Sequence, residues 1–483
     1  MLKPSSGERQ MRTTHAIYSD EKMDRLYRGA LRILRETGFW VGHDGLLDRF
    51  EKRGMTVDRP RKRISIAEGL IGDLLAPSPN KGKEKEENAP PFHPPGDCGI
   101  GGSYPKFYDA ATRTSHPGTS ERLAEVVRTF GSMPEFTSAG RALTLSDVPQ
   151  EIEPIIATAL VITRSPKPCA GEVYKAHNIP YLVELGEIAT GRAGSTDYVA
   201  SCTFVVPPLR LTRDEGDLIV EKTKRGVPAV AGTMPSSGAT APVTREGTVV
   251  IELAELIMIW LCARLIDPEI ALGGIVASSS FDMRTAACCF SSPEAVIQDC
   301  ATIQIARRYF GIDVAIATGY VDAKVPGIQT TYEKLFKSWW AMHFVGGCGF
   351  APGLLGAGQT FCPAQALLDR DMWATVEALF KTPPEPPDEV PFGEIHRVAT
   401  ANETFLDADH TRDLFRAVLH FPQFLDRTAR ESDAAEAAKA DGLLASAQVR
   451  YEEAKRAAPD YRAPEDVCRA AERVVEKAKK ALL

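Results

Sequence analysis

Short apolar runs alternate with helix-length amphipathic stretches between about residues 120 and 425. The apolar runs cover 136–139, 168–173, 199–206, 228–232, 270–277, 314–318 and 344–349. The amphipathic stretches cover 151–163, 179–190, 212–225, 243–266, 293–310 and 329–344. Strands that alternate with helices predict a parallel sheet. Near-continuous apolar strands indicate a sheet that is covered on both faces or closed on itself.

The number of strand signals favours a closed sheet. Seven signals in this part of the chain fit a (β/α)8 barrel better than an open sheet. An open doubly wound sheet usually carries a glycine-rich phosphate-binding turn after its first strand, and the sequence has no such turn. We therefore expect an α/β protein built on a (β/α)8 TIM barrel, with an N-terminal helical extension and C-terminal helices.

The two flanking regions have their own patterns. Residues 20–75 read as helix, turn, helix and a hairpin-like stretch, with Ser19 or Asp20 as N-cap and Gly38 as C-cap. The Pro-, Lys- and Glu-rich stretch 77–97 has the composition of a linker. Residues 432–483 are rich in Ala, Glu, Lys and Arg, which predicts two helices broken at Pro459 and Pro464. The expected divisions are 1–97, 98–428 and 429–483.

Composition narrows the class of protein. The 483 residues are 44% hydrophobic and carry a net charge of -7, which is ordinary for a globular protein and argues against binding nucleic acid. No apolar run is long enough to span a membrane, and the N-terminus lacks a signal-peptide pattern, so we expect a cytoplasmic protein. Its ten cysteines include no Cys-x-x-Cys pair and are expected to be small buried residues.

Common catalytic motifs are missing from the sequence. It has no P-loop, no Gly-x-Ser-x-Gly and no His-Glu-x-x-His, and no two histidines stand at i, i+4. We expect no tightly bound metal. The alternative left open is a zinc site assembled from separate strands by His177, Cys202 and Cys348.

Charged residues follow two of the apolar runs directly. Asp282 and Arg284 come after 270–277, and Asp322 and Lys324 come after 314–318. In a (β/α)8 barrel the carboxyl ends of the strands line the catalytic face. These four residues are therefore the candidate catalytic residues. The alternative is a structural network of ion pairs that closes the top of the barrel.

Several short motifs stand out by their order and spacing along the chain. They are 237–244 with Gly247, 252–255, 282–285, 292–294, 306–311, 322–324 with Pro326 and Gln329, 332–334, and 358–371. In this order they resemble the trimethylamine methyltransferase family, in its branch without pyrrolysine that includes glycine betaine methyltransferases. The resemblance runs from the N-terminal helices to about residue 380 and is specific in order and spacing, although each block alone is weak.

That resemblance implies an enzyme that moves a methyl group from a methylated amine to the cobalt(I) of a corrinoid, the cobalamin-type cofactor of a separate partner protein. The family's trimethylamine enzymes use pyrrolysine. Its absence here implies a quaternary amine, such as glycine betaine, as the substrate. A homo-oligomer is compatible with the sequence, since the stretch 243–265 is apolar enough to form a contact.

A quaternary ammonium is best held by aromatic faces, each contributing about 0.5–2 kcal/mol. Aromatic residues at or near strand ends are the candidate substrate-binding residues, although each has core packing as an equal alternative: Tyr174, Phe281, Tyr320, Tyr332 and Phe350. Glu172 is expected to face the cation and Gln329 to line the same cavity, whereas Glu333 is expected to support a loop. Arg284 and Lys324, with Arg210 behind them, are the first choices to bind a substrate carboxylate.

The chain departs from the family in one segment. Phe350 and Gly356 stand where the resemblance leads us to expect a histidine and a glutamate. This departure supports one alternative to methyl transfer, a diverged (β/α)8 barrel enzyme with other chemistry. A second alternative is a corrinoid- or amine-binding subunit whose tail helices dock to partners.

Overall fold

The computed structural model describes residues 15–75, 98–347, 349–380, 390–425, 427 and 442–483. The N-terminal region contains helices α1 Asp20–Arg32, α2 Asp44–Lys52 and α3 Glu68–Leu75, and strands Phe39–Val41, Thr56–Asp58 and Arg63–Ser65. Ser19 caps α1 by accepting a hydrogen bond from the Lys22 N–H, as predicted. Gly38 ends the π-helical turn Ile33–Thr37 with a φ of 65°, a conformation that glycine adopts without strain.

Eight parallel segments follow one another around the central part of the chain. Six are the strands Gly99–Ile100, Ser138–Ala139, Cys202–Phe204, Ala229–Thr233, Leu272–Val276 and Val314–Ile316. The other two are represented by parallel bridges at Gly171 and Gly349. Each segment bonds to the next one in sequence. After the eighth, the hairpin Leu354–Leu355 with Thr360–Phe361 pairs with Lys106–Asp109, which follows the first.

A helix follows every segment of this ring. The eight helices are α4 Ser120–Ser132, α5 Glu153–Arg164, α6 Ile179–Thr190, α7 Arg213–Lys224, α8 Arg245–Arg264, α9 Pro293–Phe310, α10 Ile328–Val345 and α11 Pro363–Phe380. The architecture is the expected (β/α)8 TIM barrel. Short strands also decorate its loops: Thr114–Pro117, Arg210–Leu211, Ser236–Ser237, Ser279–Asp282 and Ala287–Cys289.

The N-terminal region shares a core with the barrel. Leu26, Leu31 and Phe39 lie in one buried cluster with Leu253 and Leu256 of α8. Its small sheet continues into the barrel, because Phe39–Val41 runs parallel to Arg210–Leu211. The apolar helix α8 is therefore covered by the chain itself and does not offer the free oligomer contact that its sequence suggests. The expected linker 77–97 lies outside the described residues, so the proposed boundary at residue 97 stays a prediction.

Four helices follow α11 in the described residues, and the last two pack on the outside of the barrel. Helices α12 Phe392–Ala401 and α13 Asp409–Val418 come first. Then α14 Gly442–Ala457 packs on α4 and α11, and α15 Glu465–Leu482 packs on α5 and α6. The two predicted tail helices are thus confirmed, with Pro464 immediately before the second. In the described part of the chain, no helix is long and apolar enough to cross a membrane.

Candidate active site

The interior of the barrel is open to solvent. Cys202 and Phe204 are partly exposed on either side of the buried Thr203, and Ala315 is partly exposed between two buried neighbours. Successive side chains of a strand point to opposite faces, so the partly exposed set faces the lumen and the buried set faces the helices. Most (β/α)8 barrels fill this space with large side chains. Here the partly exposed side chains leave a solvent-accessible cavity in part of this space.

Glu172 and Tyr174 follow the third segment of the ring and face this cavity. Both side chains are exposed, and the Tyr174 hydroxyl lies within hydrogen-bonding reach of the Glu172 carboxylate. The surrounding barrel removes water from the Glu172 carboxylate, and this desolvation raises its pKa. The positive charge of nearby Arg141 opposes the rise. The Arg141 guanidinium lies 5.4 Å from the Tyr174 ring centroid.

Tyr320, which follows the seventh strand, belongs to the same group. Burial raises its pKa to about 12, and the neighbouring Glu172, Cys202 and Tyr174 add to the rise. Its ring lies 5.7 Å from that of Phe290, and its far edge packs against Gly358, where a Cβ atom would lie 3.3 Å from the phenol oxygen. The structure thus brings together three of the predicted substrate-binding residues, Glu172, Tyr174 and Tyr320.

Two buried cations next to this group were missed by sequence reasoning. Arg141 pairs with Glu153 at 2.8 Å and donates to the backbone carbonyl of Glu172. Lys222 donates to the Cys202 carbonyl at 2.9 Å, and burial lowers its pKa to about 8. Arg141 directly follows an apolar run and could have been found by the rule that selected Glu172. Lys222 lies within a helix, and its sequence gave no such signal.

The cysteine in the cavity has no nucleophilic character. Burial raises the pKa of Cys202 to about 12, so its thiol is neutral at physiological pH. In the zinc alternative, His177 pairs instead with Glu151 at 3.0 Å, while Cys348 lies outside the described residues. Among the residues that the structure describes, no three His, Cys, Asp or Glu side chains are grouped as metal ligands.

The predicted catalytic pair Asp282 and Arg284 lies on the hairpin formed by Ser279–Asp282 and Ala287–Cys289. The two side chains bind each other at 2.8 Å, and Arg284 is 87% exposed. Hydrogen bonds from Arg284 lower the pKa of Asp282 to about 2. This geometry gives both residues a local partner at the rim of the barrel and favours the structural network that the sequence left open.

Asp322 and Lys324 are also engaged by their own loop. The Asp322 carboxylate accepts hydrogen bonds from the N–H groups of Phe290 and Ser291 at 2.7 and 3.1 Å. Lys324 is exposed and donates to the Asp322 carbonyl at 2.7 Å. Asp322 therefore joins the loop after the seventh strand to the start of α9, which is a structural role.

Helix α10 supports the loop that carries Tyr320. Glu333 accepts hydrogen bonds from the N–H groups of Asp322 and Ala323 at 2.7 and 3.1 Å, which agrees with its expected role. Gln329, predicted to line the cavity, instead donates to Glu333 at 2.6 Å. The buried Lys337 donates to the Tyr320 carbonyl at 2.6 Å and fixes the backbone of that residue.

The other predicted aromatic residues occupy separate places. Tyr332 is exposed on the outer face of α10, next to Phe336, and is not part of the group around Glu172. Phe281 lies in the rim hairpin opposite Cys288. Phe350 stacks on Trp373 with 5.3 Å between ring centroids, so it packs between the eighth segment and α11.

Gly356, the second departure from the family pattern, occupies a turn. Its φ is 56°, which favours glycine over a residue with a side chain. Its N–H donates to the Ala323 carbonyl at 2.7 Å, and the next residue donates to the Val321 carbonyl at the same distance. The turn therefore holds the eighth-strand hairpin against the Tyr320 loop.

The trimethylamine methyltransferase (MTTB) family model matches residues 5–466, so the chain belongs to this family of methyltransferases. Trimethylamine methyltransferase MttB of Desulfitobacterium hafniense is 23% identical over 441 residues, covering 87% of this chain and 86% of that protein. Glycine betaine methyltransferase of the same species is 21% identical over 444 residues, with coverage of 88% and 90%. The solved monomethylamine methyltransferase of Methanosarcina barkeri has 12% identity and a TM-score of 0.46, with coverage of 97% and 88%.

Proposed function

We propose that this protein transfers a methyl group from a quaternary or tertiary methylated amine to the cobalt(I) corrinoid of a partner protein. Family membership and the names of its relatives, which include trimethylamine and glycine betaine methyltransferases, support the class of reaction. The observation that carries the proposal is the group of Glu172, Tyr174 and Tyr320 in an open barrel lumen. A carboxylate beside phenol rings suits a methylated ammonium ion.

The accessible charge in this group favours a cation. Glu172 is exposed to the lumen, whereas Arg141 and Lys222 are buried and already bound to protein oxygens. A methylated ammonium ion therefore meets a carboxylate and ring faces, with each ring contact contributing about 0.5–2 kcal/mol. Arg141 and Glu153 act beneath this surface and hold the backbone of Glu172.

The proposed reaction asks the protein to position its substrate. Cobalt(I) of the corrinoid would supply the nucleophile. The broken C–N bond releases a neutral amine from a quaternary substrate, and from a tertiary substrate when its nitrogen carries a proton. The side chains of this protein hold the ammonium so that a methyl group points towards the barrel mouth. Such positioning can contribute roughly 7–11 kcal/mol to lowering a barrier. No side-chain nucleophile is required, which is consistent with the neutral thiol of Cys202.

A carboxylate on the substrate would need a cation that is free to bind it. Arg284 and Lys324 stay the proposed residues for this contact. Arg284 would have to exchange Asp282 for the substrate, and Lys324 would have to release the Asp322 carbonyl. Comparing betaines with simple alkylammonium ions therefore tests whether either residue makes that exchange.

Cobalt(I) spectroscopy tests the proposal directly. Protein, reduced corrinoid protein and a panel of methylated amines are mixed, and conversion of cobalt(I) to methylcobalt(III) is followed by absorbance. We expect conversion with at least one tertiary or quaternary amine. Failure with every amine, when a known methyltransferase works in parallel, would sink the proposal. If only betaines react, Arg284→Gln and Lys324→Gln are expected to raise the KM.

A further inference from the structure

One side of the barrel lumen is an apolar wall. The Thr203 hydroxyl accepts a hydrogen bond from Lys222 of α7, so this side chain faces the helices. The next residue, Phe204, therefore faces the lumen, and it is partly exposed. Ile275 and Ala315, in the sixth and seventh segments, are also partly exposed, and each adjoins a residue of the main buried cluster. The strands of the fourth to seventh segments contain no charged residue, so this wall is apolar.

The ring of Phe204 lies across the fifth segment, over Gly232. Thr233 donates a hydrogen bond to Glu255 of α8 and so faces the helices, which places Gly232 on the lumen side of the strand. A Cβ atom at Gly232 would lie 2.6 Å from the Phe204 ring, which is too close unless the ring moves. The missing side chain of Gly232 therefore makes the space that the ring occupies.

The apolar wall adjoins the group of Glu172, Tyr174 and Tyr320. The third segment, at whose end Glu172 stands, is the neighbour of the fourth, and neighbouring strands lie about 4.8 Å apart. Cys202 is close enough to Tyr320 to raise its pKa. Phe204 stands two positions beyond Cys202, on the same face of the strand and about 7 Å nearer the mouth. Substituents of an ammonium ion bound at Glu172 therefore lie against this wall.

Four cations around the lumen are already bound to protein oxygens. Arg141 and Lys222 are buried, the first in an ion pair and the second on a backbone carbonyl. Arg284 and Lys324 lie on the rim loops and bind oxygens of their own loops. An ionised carboxylate against the apolar wall would lose its water without gaining a free cation, and Glu172 would repel it. An uncharged substituent meets neither penalty.

We infer that Phe204, in the space left by Gly232, selects a methylated ammonium ion whose remaining substituent is an uncharged alkyl group, in preference to a betaine. This inference names a substrate class for the proposed function and rests on that function. Each methylene that the substituent buries against the wall strengthens binding about fourfold. A carboxylate in the same place gains no such contribution.

Isothermal titration calorimetry with two matched ligands tests the inference without any methyl transfer. Isobutyltrimethylammonium and glycine betaine share a trimethylammonium group, and an isopropyl group in the first replaces the carboxylate of the second. We expect the unmodified protein to bind the alkyl ion about tenfold or more tightly. From tetramethylammonium to ethyltrimethylammonium to propyltrimethylammonium, the affinity should rise about fourfold for each added methylene.

Gly232→Ala tests the wall without changing Phe204. The added methyl group would lie 2.6 Å from the ring and must displace it, so the gain per methylene should fall to about twofold or less. Phe204→Ala should abolish the gain, whereas Phe204→Leu should keep most of it because leucine is also apolar. Gly273→Ala, on the neighbouring strand, is the matched control. Its added methyl group would lie 3.4 Å from Val230, an ordinary contact, and should leave the ligand series unchanged.

The outcomes separate this inference from the proposed function, provided that circular dichroism shows all variants to be folded. Glycine betaine that binds as tightly as isobutyltrimethylammonium, or more tightly, would overturn the inference and leave methyl transfer from a betaine intact. Equal ligand series for Gly232→Ala and Gly273→Ala would also overturn it, because the position of the Phe204 ring would then not matter. Failure of every quaternary ammonium ion to bind would overturn both proposals.

Discussion

Glu172 carries the accessible negative charge of the barrel lumen, and replacing it tests what the cavity binds. Glu172→Gln keeps the shape of the side chain and removes the charge. We expect affinity for tetramethylammonium to fall about tenfold or more, since contacts that involve a charged group contribute about 1.5–3 kcal/mol. Isothermal titration calorimetry measures this without any methyl transfer. Lys324→Gln, at the rim, is the control and should leave binding unchanged.

The same titration has a predictable pH dependence. Burial raises the pKa of Glu172 above its usual value, and a bound cation stabilises the ionised form, so binding releases a proton from any protonated fraction. Affinity should therefore increase as the pH rises through the raised pKa of the free protein and level off above it. Glu172→Gln should show no such rise, and a flat profile for the unmodified protein would contradict the assignment.

At the residue scale, the sequence identifies candidate site residues but does not show which residues form hydrogen bonds with them. Candidates were chosen because they stand at or just after the end of a strand. This rule selected Glu172 and Tyr320, which meet in the lumen. It also selected Asp322 and Arg284, which bind partners elsewhere. The difference lies in tertiary hydrogen bonds. Asp322 accepts from Phe290 and Ser291, which are about thirty positions away in the chain, and sequence spacing carries no sign of this contact.

At the scale of elements, six of the eight barrel helices, α5 to α10, were predicted to within a few residues, because each carries a long periodic signal, whereas α4 and α11 were not predicted. The first strand was missed, since Gly99–Ile100 is short and glycine-rich and follows the Pro-rich stretch. The predicted strand 344–349 lay too early: α10 continues to Val345, and the bridge is at Gly349. Periodicity also located α10 correctly, but the helix buries Glu333, Lys334 and Lys337 and exposes Ile328 and Tyr332.

A buried carboxyl pair joins α8 to α9 and makes stability depend on pH. Glu252 accepts from Thr302 at 2.6 Å, and Asp299 accepts from the Ser278 N–H at 2.8 Å. Their remaining oxygens, Oε1 and Oδ2, are buried without another donor. Burial raises the pKa of both groups, and the charge of Asp299 raises the pKa of Glu252 further. The folded pair therefore retains a proton that the unfolded chain releases.

The sign of the pH effect follows from that retained proton. Stability falls as the pH rises from the unfolded carboxyl pKa of about 4 towards the raised folded value, by about 1.4 kcal/mol per pH unit for one proton. Glu252→Gln supplies a permanent donor and should reduce this slope in urea unfolding between pH 5 and about 8, while the buried Glu255, whose pKa is raised to about 7, keeps its own contribution. Glu246→Gln, at a partly exposed position of the same helix where Lys22 lowers the carboxyl pKa, should retain the full slope in this range. Equal slopes for the two variants would refute the shared proton.

At the scale of the whole molecule, the barrel is enclosed by segments from both ends of the chain. The composition of the sequence predicts the tail helices α14 and α15 but does not predict where they pack. Their packing sites depend on which barrel helices present an apolar outer face. Tyr451 of α14 shows the result: its ring lies 5.8 Å from that of Phe130 on α4, and its hydroxyl donates to Glu125 at 2.9 Å.

Substituting Tyr451 tests whether the tail is part of the folding unit of the barrel. Tyr451→Ala empties a fully buried site and should lower the free energy of unfolding by about 3–5 kcal/mol. Tyr451→Phe removes only the hydroxyl and should cost about 1 kcal/mol, since Glu125 keeps Lys455 at 2.8 Å. All five tryptophans precede residue 374 and lie in the N-terminal region and the barrel, so their fluorescence does not come from the tail. If the tail folds with the barrel, Tyr451→Ala shifts the fluorescence transition in urea as much as the circular dichroism transition. A fluorescence midpoint that does not move would make the tail an independent appendage.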